Sequence, residues 1–533
     1  MSDAPIDRYM LTLTPPLQRI FDEVTASAAR GDWIRASEGA VRLRDAAPRS
    51  IPVLMLASLV MLKVDRYRDA HSFALEAANP PIDVPEMLLQ AVRSLRRFEE
   101  PEALQRLVAA SQWRDIPSSP LMVELALHLG SSGLYVLALQ CLDHATKLDP
   151  HDANTHYLRG LFEMFSGHAD ASIAALRRAV SIRRGLANAH WLLSMQGDLQ
   201  SAEGHITEMM GELRTVPPDS EAYAYLCYSL HHRLDAVGRH HEAWRALELG
   251  RAARRRTTKY DRKSEHALFQ ALKDMVLPEF GPEPTSSGGT GLIFIVGMYR
   301  SGTTLIERVL AGHPDVADGG ETYQFSASMR DAVDHDCAQV VDLTIVSRAP
   351  FADFGIVRQR MHAYAGWRSA GRRWLTEKLP SNFLNLGFIL HALPEAKILH
   401  LRRDPVETCF SNLRTIFTGA APYACDQDDL ADYYLQYQGL MTHWHAMAPG
   451  RILDVDYAAF VGDPGSGARR IMEHCGLTYL PEALDIDRQG GVAATASAAH
   501  VRKGILKNRG EAWKPYAQQL QPMIRGLRAA YDT

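Results

Sequence analysis

The chain has 533 residues, with 58 lysines and arginines against 62 aspartates and glutamates, so its formal charge is −4 at neutral pH. At about 150 residues per domain, this length predicts about three domains' worth of sequence. Hydrophobic residues make up 46% of the chain, which is enough to build buried cores and excludes wholesale disorder. The nearly balanced charge excludes a global field for holding nucleic acid or an anionic membrane, so an anion site has to be local.

The cysteines and the N-terminus indicate where the protein works. Six cysteines are spread widely, and no two have the close spacing of zinc or thiol redox motifs, which predicts a reducing compartment, the cytoplasm. The N-terminus lacks a basic stretch followed by an apolar run, and the most apolar segment, residues 51–64, contains Ser58 and Lys63. We therefore expect no export signal and no membrane span.

The pairs His231-His232 and His240-His241 are interpreted as solvated, and no metal is expected.

A 34-residue repeat runs through the first half of the chain. Ala126, Gly133, Leu142 and Ala145 recur 34 residues later as Gly160, Gly167, Leu176 and Ala179. Each unit predicts two helices, with a small residue where the second helix approaches the first and a glycine at the turn. The pattern resembles tetratricopeptide repeats over roughly residues 15–255, which implies a surface for a protein partner or a second copy of the chain. The alternative is an irregular helical domain with coincidental spacing.

The composition changes near residues 281–290, where glycine, proline and serine are concentrated. Beyond them, β-branched and aromatic runs at 292–296, 397–401 and 451–455 alternate with helical stretches. That order predicts an α/β domain with a parallel sheet, whose ligand site lies at the carboxyl ends of the strands. We predict helical repeats over 1–260, a connecting helix and linker over 261–290, and the α/β domain over 291–533.

The first predicted strand runs directly into a glycine loop that ends at Thr304. Gly297 and Gly302 allow backbone N–H groups and the following helix terminus to converge on an anion. Their spacing matches an ATP-binding P-loop, but Thr303 stands where that motif requires lysine, and Arg300 lies inside the loop. A 5′ group shorter than a triphosphate, such as a phosphosulfate, fits better. The candidate binding residues are Arg300, Ser301, Gly302, Thr303 and Thr304.

The segment from Phe294 to Thr322 resembles the sulfotransferase superfamily. It contains GMYRSGTT, then HPDV and then GGET, without a gap. Within the superfamily it is similar to bacterial tetratricopeptide-repeat sulfotransferases and to animal tyrosylprotein sulfotransferases, and the resemblance covers about residues 291–525. It implies transfer of a sulfuryl group from 3′-phosphoadenosine 5′-phosphosulfate (PAPS) to an acceptor, with no metal required.

The resemblance also implies roles for individual catalytic side chains. Glu321 stands at the family's base position, and Arg300 contributes from the loop. Lys378, in the sequence Glu-Lys-Leu-Pro, stands where the family's lysine stabilises charge on the bridging oxygen. Ser497 is the candidate hydroxyl donor in the segment that folds back over the phosphosulfate.

A second anion site follows the strand at 397–401. Arg403 and Ser411 stand where the family binds the adenosine 3′-phosphate, the group that separates PAPS from ordinary nucleotides. Asp404 and Pro405 can begin the helix that carries Ser411. The register favours Arg403, although Arg402 remains an alternative.

Three functions stay open at this point. The first is a PAPS-dependent sulfotransferase acting on a protein, peptide, glycan or small-molecule hydroxyl. The second is an inactive repeat scaffold that binds nucleotide, and the third is a nucleotide or small-molecule kinase. Partners expected from the sequence are the acceptor and a protein or second subunit on the repeats, without nucleic acid.

Overall fold

The structure, a computed structural model, describes residues 13–79, 81–196, 201–277, 289–417, 419–486 and 511–531. By compactness the chain divides into two units. Unit 1 contains Met1–Pro150, Tyr323–Ala338 and Phe351–Met361, and unit 2 contains His151–Thr322, Gln339–Pro350 and His362–Thr533. Each unit therefore combines helices of the first half with segments of the second half. The division by structural type at 261–290 stays a prediction, and residues 278–288 of that segment lie outside the described residues.

The first half consists of consecutive helices that pack in pairs. In unit 1 these are α1 (Pro15–Ala29), α2 (Trp33–Ala46), α3 (Ile51–Lys63), α4 (Tyr67–Ala77), α5 (Pro85–Arg97), α6 (Pro101–Ala110), α7 (Ser119–Ser131) and α8 (Tyr135–Leu148). Each odd helix packs against the next even one. The most apolar segment of the sequence is α3, whose Val53, Leu54 and Ala57 are buried in the repeat core. Within the described residues no helix combines the length and apolar character needed to cross a bilayer.

Helices continue into unit 2, where two of the consecutive pairs pack as those of unit 1 do. Its first helices are α9 (Ala153–Ser166), α10 (Ala169–Ile182), α11 (Ala187–Gln196), α12 (Ala202–Leu213), α13 (Glu221–Ala236), α14 (His240–Thr257) and α15 (Arg262–Asp274). Helices α7 and α9 begin 34 residues apart, and Gly133 and Gly167 end them with positive φ angles of 76° and 100°. The predicted helical repeats are confirmed.

Gly160 shows why small residues recur in these repeats. A Cβ atom added to Gly160 on α9 would lie 2.5 Å from the Leu176 side chain on α10, and Ser172 Oγ donates to the Gly160 carbonyl at 2.6 Å. Ser172 and Leu176 are both buried. The two helices approach closely because α9 has no side chain at this point.

We expect Gly160→Ala to lower the free energy of unfolding by about 1–3 kcal/mol, because the new methyl group overfills a packed contact. Gly204→Ala is the matched control, since Gly204 is exposed on α12 and a Cβ there meets nothing within 4 Å. That change is expected to be neutral or to stabilise by up to about 1 kcal/mol. Urea unfolding of both variants measures the difference, and equal effects would contradict this packing argument.

Arginines at the end of α14 join the repeats to the second half of unit 2. Arg251 Nε donates to the carbonyl of Cys425 at 3.0 Å, and Arg254 Nη2 donates to the carbonyl of Phe417 at 2.8 Å. Arg255 forms an ion pair with Asp426. Arg251 and Arg254 thus each satisfy one backbone carbonyl, whereas Arg255 binds a carboxylate.

The paired histidines correct one expectation from the sequence. His231 is fully buried rather than solvated, and its Nδ1 lies 2.9 Å from the carbonyl of Ala243 on the neighbouring helix α14. His232 Nε2 lies 3.0 Å from the carbonyl of Arg414. Helical periodicity places both side chains against neighbouring segments, which a search for metal spacing alone does not reveal.

The α/β part of unit 2 is built on a five-stranded parallel sheet. Its strands are β1 (Gly291–Gly297), β2 (Val316–Ala317), β3 (Trp374–Glu377), β4 (Lys397–Arg402) and β5 (Ile452–Asp456), in the order β2-β3-β1-β4-β5. The three strands expected from apolar runs are β1, β4 and β5, and β1 is buried from Leu292 onward. The fold class predicted from the sequence is confirmed.

Helices and short 3₁₀ turns connect the strands. The helices are α16 (Thr303–Ala311), α17 (Gln324–Val333), α18 (Leu343–Arg348), α19 (Phe354–Arg368), α20 (Leu386–Ala392), α21 (Pro405–Leu413), α22 (Gln427–Met447), α23 (Tyr457–Gly462), α24 (Pro464–His474) and α25 (Gln521–Gly526). The middle strands β3, β1 and β4 lead directly into the segments at Lys378, Met298 and Arg403. Parallel strands end at the same edge, so these three segments are neighbours.

Candidate active site

The glycine loop connects β1 to α16 through a backbone with two left-handed residues. Arg300 has φ of +69° and Gly302 has φ of +109°. A Cβ atom at Gly302 would lie 2.4 Å from the Tyr457 ring, so no larger residue fits without displacing that ring. The conformation turns the chain sharply before Thr303, the first residue of α16.

The hydroxyl groups of the loop surround the positive end of α16. Ser301 is 1% exposed, and its Oγ has no hydrogen-bond partner among the described residues. Thr303 and Thr304 are also buried. A buried hydroxyl group ordinarily has a partner, and helix N-termini attract anions. The loop therefore has the donors and the dipole that a phosphate or sulfate group requires.

The second anion site predicted from the sequence lies against this loop. Arg300 Nε donates to Ser411 Oγ at 3.2 Å, and Arg403 Nη1 donates to the carbonyl of Arg300 at 3.3 Å. The Arg403 guanidinium also lies 4.7 Å from the Tyr457 ring centre and pairs with Glu407 at 3.0 Å. The structure thus brings together Arg300 from the loop after β1, Arg403 directly after β4, and Ser411 on α21.

The neighbouring arginine points elsewhere. Arg402 Nη1 donates to Asp454 Oδ2 on β5 at 3.3 Å, and its side chain is 54% exposed, compared with 12% for Arg403. Consecutive residues at the end of a strand project to opposite sides. The contacts place Arg403, rather than Arg402, beside the loop.

Lys378 occupies a fully buried position directly after β3. Its Nζ lies 2.6 Å from Glu321 Oε1 and 3.7 Å from Glu307 Oε2, and the lysine side chain is 0% exposed. Burial alone would lower the pKa of this ammonium, but Glu321 and Glu307 outweigh burial and raise it. Lys378 is therefore a charged ammonium at neutral pH.

Glu321 lies in the loop after β2 and is the exposed member of this group. Its side chain keeps 27% of its accessible surface, so one side of the carboxylate faces outward while Oε1 contacts Lys378. The preceding strand, β2, ends at Ala317, four residues before Glu321. Glu321 and Lys378 are 57 residues apart in the sequence and meet because β2 and β3 are adjacent.

Two further carboxyl groups lie behind Lys378. Glu307 is buried on α16, and its Oε1 accepts from the Gly320 amide and from Thr376 Oγ1, each at 3.1 Å. Burial, followed by the charge of Asp318, raises the pKa of Glu307 to about 8. Burial also raises the pKa of Asp318, and Asp318 forms a hydrogen bond with Glu307.

Sequence reasoning did not find Glu307 or the residues that support the loop. Asn412 Nδ2 donates to the carbonyl of Tyr299 at 2.7 Å, and the Tyr299 ring lies 5.3 Å from that of Phe417. Glu307 lies four residues after Thr303, one helical turn from the loop. That spacing, which puts Glu307 on the same side of α16 as Thr303, was the available signal. Ser497 lies outside the described residues.

A protein-family model matches the α/β part of the chain. Residues 293–481 match the model of a sulfotransferase family. Those residues form a sulfotransferase-family domain. The resemblance predicted from GMYRSGTT and GGET is confirmed for these residues, and helical repeats precede them in the chain.

Two relatives match this chain over part of its length. An uncharacterized protein of Aquifex aeolicus is 28% identical over 289 residues, 51% of this chain and 37% of that protein. Protein-tyrosine sulfotransferase 2 of Gallus gallus is 24% identical over 217 residues, 38% of this chain and 56% of that protein. The matches therefore span less than two thirds of either relative.

Solved structures resemble separate parts of the chain. The sulfotransferase domain of the Synechococcus PCC 7002 olefin synthase has 19% identity and a TM-score of 0.33, and the match covers 48% of this chain and 100% of that domain. YrrB, a TPR protein with an unusual peptide-binding site, has 17% identity and a TM-score of 0.26, with coverage of 32% and 88%.

Proposed function

We propose that the chain transfers a sulfuryl group from PAPS to a hydroxyl acceptor, with Glu321 as general base. The contact between Glu321 and Lys378 is the main support for this proposal, because it puts a carboxylate and a buried ammonium at the strand edge that carries the loop. A base for the acceptor and a cation for the leaving group are the two requirements of the reaction.

The proposed roles of these groups account for the proton, the bond formed and the bond broken in the reaction. The acceptor hydroxyl gives its proton to Glu321 as its oxygen forms a bond to sulfur. The bond between sulfur and the bridging oxygen of the 5′-phosphate breaks, and adenosine 3′,5′-bisphosphate leaves with the negative charge. Lys378, Arg300 and the N-terminus of α16 are placed to stabilise that charge. Ser497 remains a proposed donor for the same group.

The contacts of Arg403 and Ser411 support recognition of the 3′-phosphate. We expect Arg403→Ala to weaken binding of adenosine 3′,5′-bisphosphate by about 10–100-fold, the loss of about 1.5–3 kcal/mol from a charge-assisted hydrogen bond. Arg402→Ala is the matched control and should change the dissociation constant less than about threefold, because Arg402 faces Asp454. Isothermal titration calorimetry measures both, and a larger effect at Arg402 would reverse the assignment.

The same calorimetry tests the donor itself. We expect tight binding of adenosine 3′,5′-bisphosphate and weak binding of ATP, because Thr303 stands in place of the lysine that holds a triphosphate. Incorporation of labelled sulfate from PAPS into proteins, glycans and metabolites of a lysate then identifies the acceptor. Tight ATP binding without binding of the bisphosphate would overturn the proposal and favour a kinase.

The acceptor, partner and compartment are proposals as well. The chicken relative is named a protein-tyrosine sulfotransferase, so a protein tyrosine is the first acceptor to test, followed by glycans and small molecules. We propose that the repeats bind a protein partner or a second copy of the chain. The six cysteines are all free thiols, which supports a reducing compartment such as the cytoplasm.

A further inference from the structure

The carboxyl groups behind Lys378 pose an electrostatic problem. Glu307, Asp318 and Glu321 all lie around one ammonium, and Glu307 is buried as deeply as Lys378. Three charged carboxylates would hold Lys378 strongly and repel one another, whereas like charges in a buried site are relieved when one of them keeps its proton. The hydrogen bonds show which group that is.

The neighbours of Glu307 assign its two oxygens different roles. Oε1 accepts two hydrogen bonds, from the Gly320 amide and from Thr376, both at 3.1 Å. Oε2 lies 3.7 Å from Lys378 Nζ, beyond hydrogen-bond distance. Asp318 is hydrogen-bonded to Glu307, and a bond between two carboxyl groups requires that one of them carry a proton.

The charges around the pair favour a proton on Glu307 rather than on Asp318. Arg308 Nη1 lies 3.7 Å from Asp318 Oδ2, and Lys378 and Arg368 also act on Asp318, so three cations favour its ionised form. Glu307 faces one cation, Lys378, together with the carboxylates of Asp318 and Glu321. The other packed groups, Thr376 and the Gly320 amide, carry no charge.

We propose that Glu307 is a positioning residue that acts through Lys378 as a neutral carboxylic acid, keeping its proton toward Asp318 and leaving Glu321 as the ion-pair partner of Lys378. This inference rests on the proposed function, since it concerns the lysine assigned to the bridging oxygen. In the neutral state the ammonium is held by one partly exposed carboxylate and can turn toward the leaving group. When Glu307 loses its proton, a second carboxylate at 3.7 Å draws the ammonium back into the protein.

The pH profile of kcat tests this arrangement. With a pKa of about 8 for Glu307, roughly one tenth of the molecules keep the proton at pH 9, so kcat of the wild type should fall about tenfold between pH 7 and 9. In Glu307→Gln, which cannot ionise, the ratio of kcat at pH 7 and 9 should be less than about twofold. The proposal is overturned if kcat of this variant falls between pH 7 and 9 as much as kcat of the wild type does.

Asp318→Asn tests the same point in the opposite direction. Removing the Asp318 charge eases ionisation of Glu307, so the alkaline limb should move to lower pH while the bisphosphate still binds. A purely structural role for Asp318 would lower stability without moving the limb. If Glu307→Gln does not fold, the pH profile of Asp318→Asn is the deciding measurement. The proposal is overturned if the alkaline fall of kcat in Asp318→Asn stays at the same pH as in the wild type or moves to higher pH.

The free energy of unfolding supplies a readout that does not depend on activity. An ordinary glutamate releases its proton near pH 4.5, whereas folded Glu307 retains it to about pH 8. Wild-type stability should therefore fall between these values relative to Glu307→Gln, and the difference should level off above pH 8. The proposal is overturned if the free energies of unfolding of the wild type and of Glu307→Gln change with pH in parallel. Absence of PAPS turnover by the wild type, with this pH-dependent difference present, removes the proposed function and leaves the proton on Glu307.

Discussion

Replacing Glu321 with glutamine is expected to lower kcat by about 10³-fold, within the usual range for loss of a general base. Glutamine keeps an oxygen that can accept from Lys378 Nζ, now 2.6 Å from Oε1, but it cannot take the acceptor proton. The dissociation constant of adenosine 3′,5′-bisphosphate should change little, because Glu321 lies on the acceptor side of the proposed reaction. Steady-state kinetics with saturating PAPS, together with calorimetry, separate the two effects.

Glu482→Gln provides the matched control for this experiment. Glu482 is exposed in the same unit, in the 3₁₀ turn Pro481–Leu484, so the same loss of charge there should leave kcat within about twofold. Normal turnover by the Glu321 variant would remove Glu321 as the base. A parallel loss of bisphosphate binding would instead indicate that the carboxylate organises the whole site.

Replacing Lys378 with methionine is expected to reduce both activity and stability. Methionine fills a similar volume but leaves Glu321 without its cation and removes the charge assigned to the bridging oxygen. Removing one partner of a buried pair lowers stability by about 3–5 kcal/mol, and loss of one electrostatic donor lowers kcat by about 10²–10³-fold. Urea unfolding and PAPS turnover measure these effects on the same preparation.

The control for Lys378 is a lysine that makes no buried contact. Lys147 is exposed near the end of α8, so Lys147→Met should change the free energy of unfolding by less than about 0.5 kcal/mol. A Lys378 variant that loses stability yet keeps full turnover would show that the ammonium is only structural. Retention of stability would contradict its burial between two carboxyl groups.

Local sequence was sufficient to predict the loop and the strand that leads into it. The residues that form the strand, the loop and the start of the helix follow one another directly: a buried strand, two glycines, Arg300 and paired threonines. Their conformation is therefore set by neighbours in the chain. The helical repeats could be predicted for the same reason, since Gly160 and its counterparts act within one helix pair. Both predictions required only periodicity and turn chemistry.

The group around Lys378 could not be predicted in this way. Glu307, Glu321 and Lys378 come from α16, the loop after β2 and the end of β3, and strand order alone brings them together. In the sequence Glu307 is one acidic residue in a short helix, which ordinarily would face solvent. Its buried position, and so its altered proton affinity, becomes visible only when the strands are placed side by side.

The hydrogen bonds from Arg251 and Arg254 to the carbonyls of Cys425 and Phe417 determine where the chain could be shortened. A fragment that begins after residue 260 would lack both arginines, so the carbonyls of Cys425 and Phe417 would lose these hydrogen bonds. The Phe417 ring also contacts Tyr299 in the glycine loop. A fragment that begins at His151 would keep every helix of unit 2 and so retain those donors. In this protein the last repeats therefore support the segment that packs against the glycine loop, and removing them would remove that support.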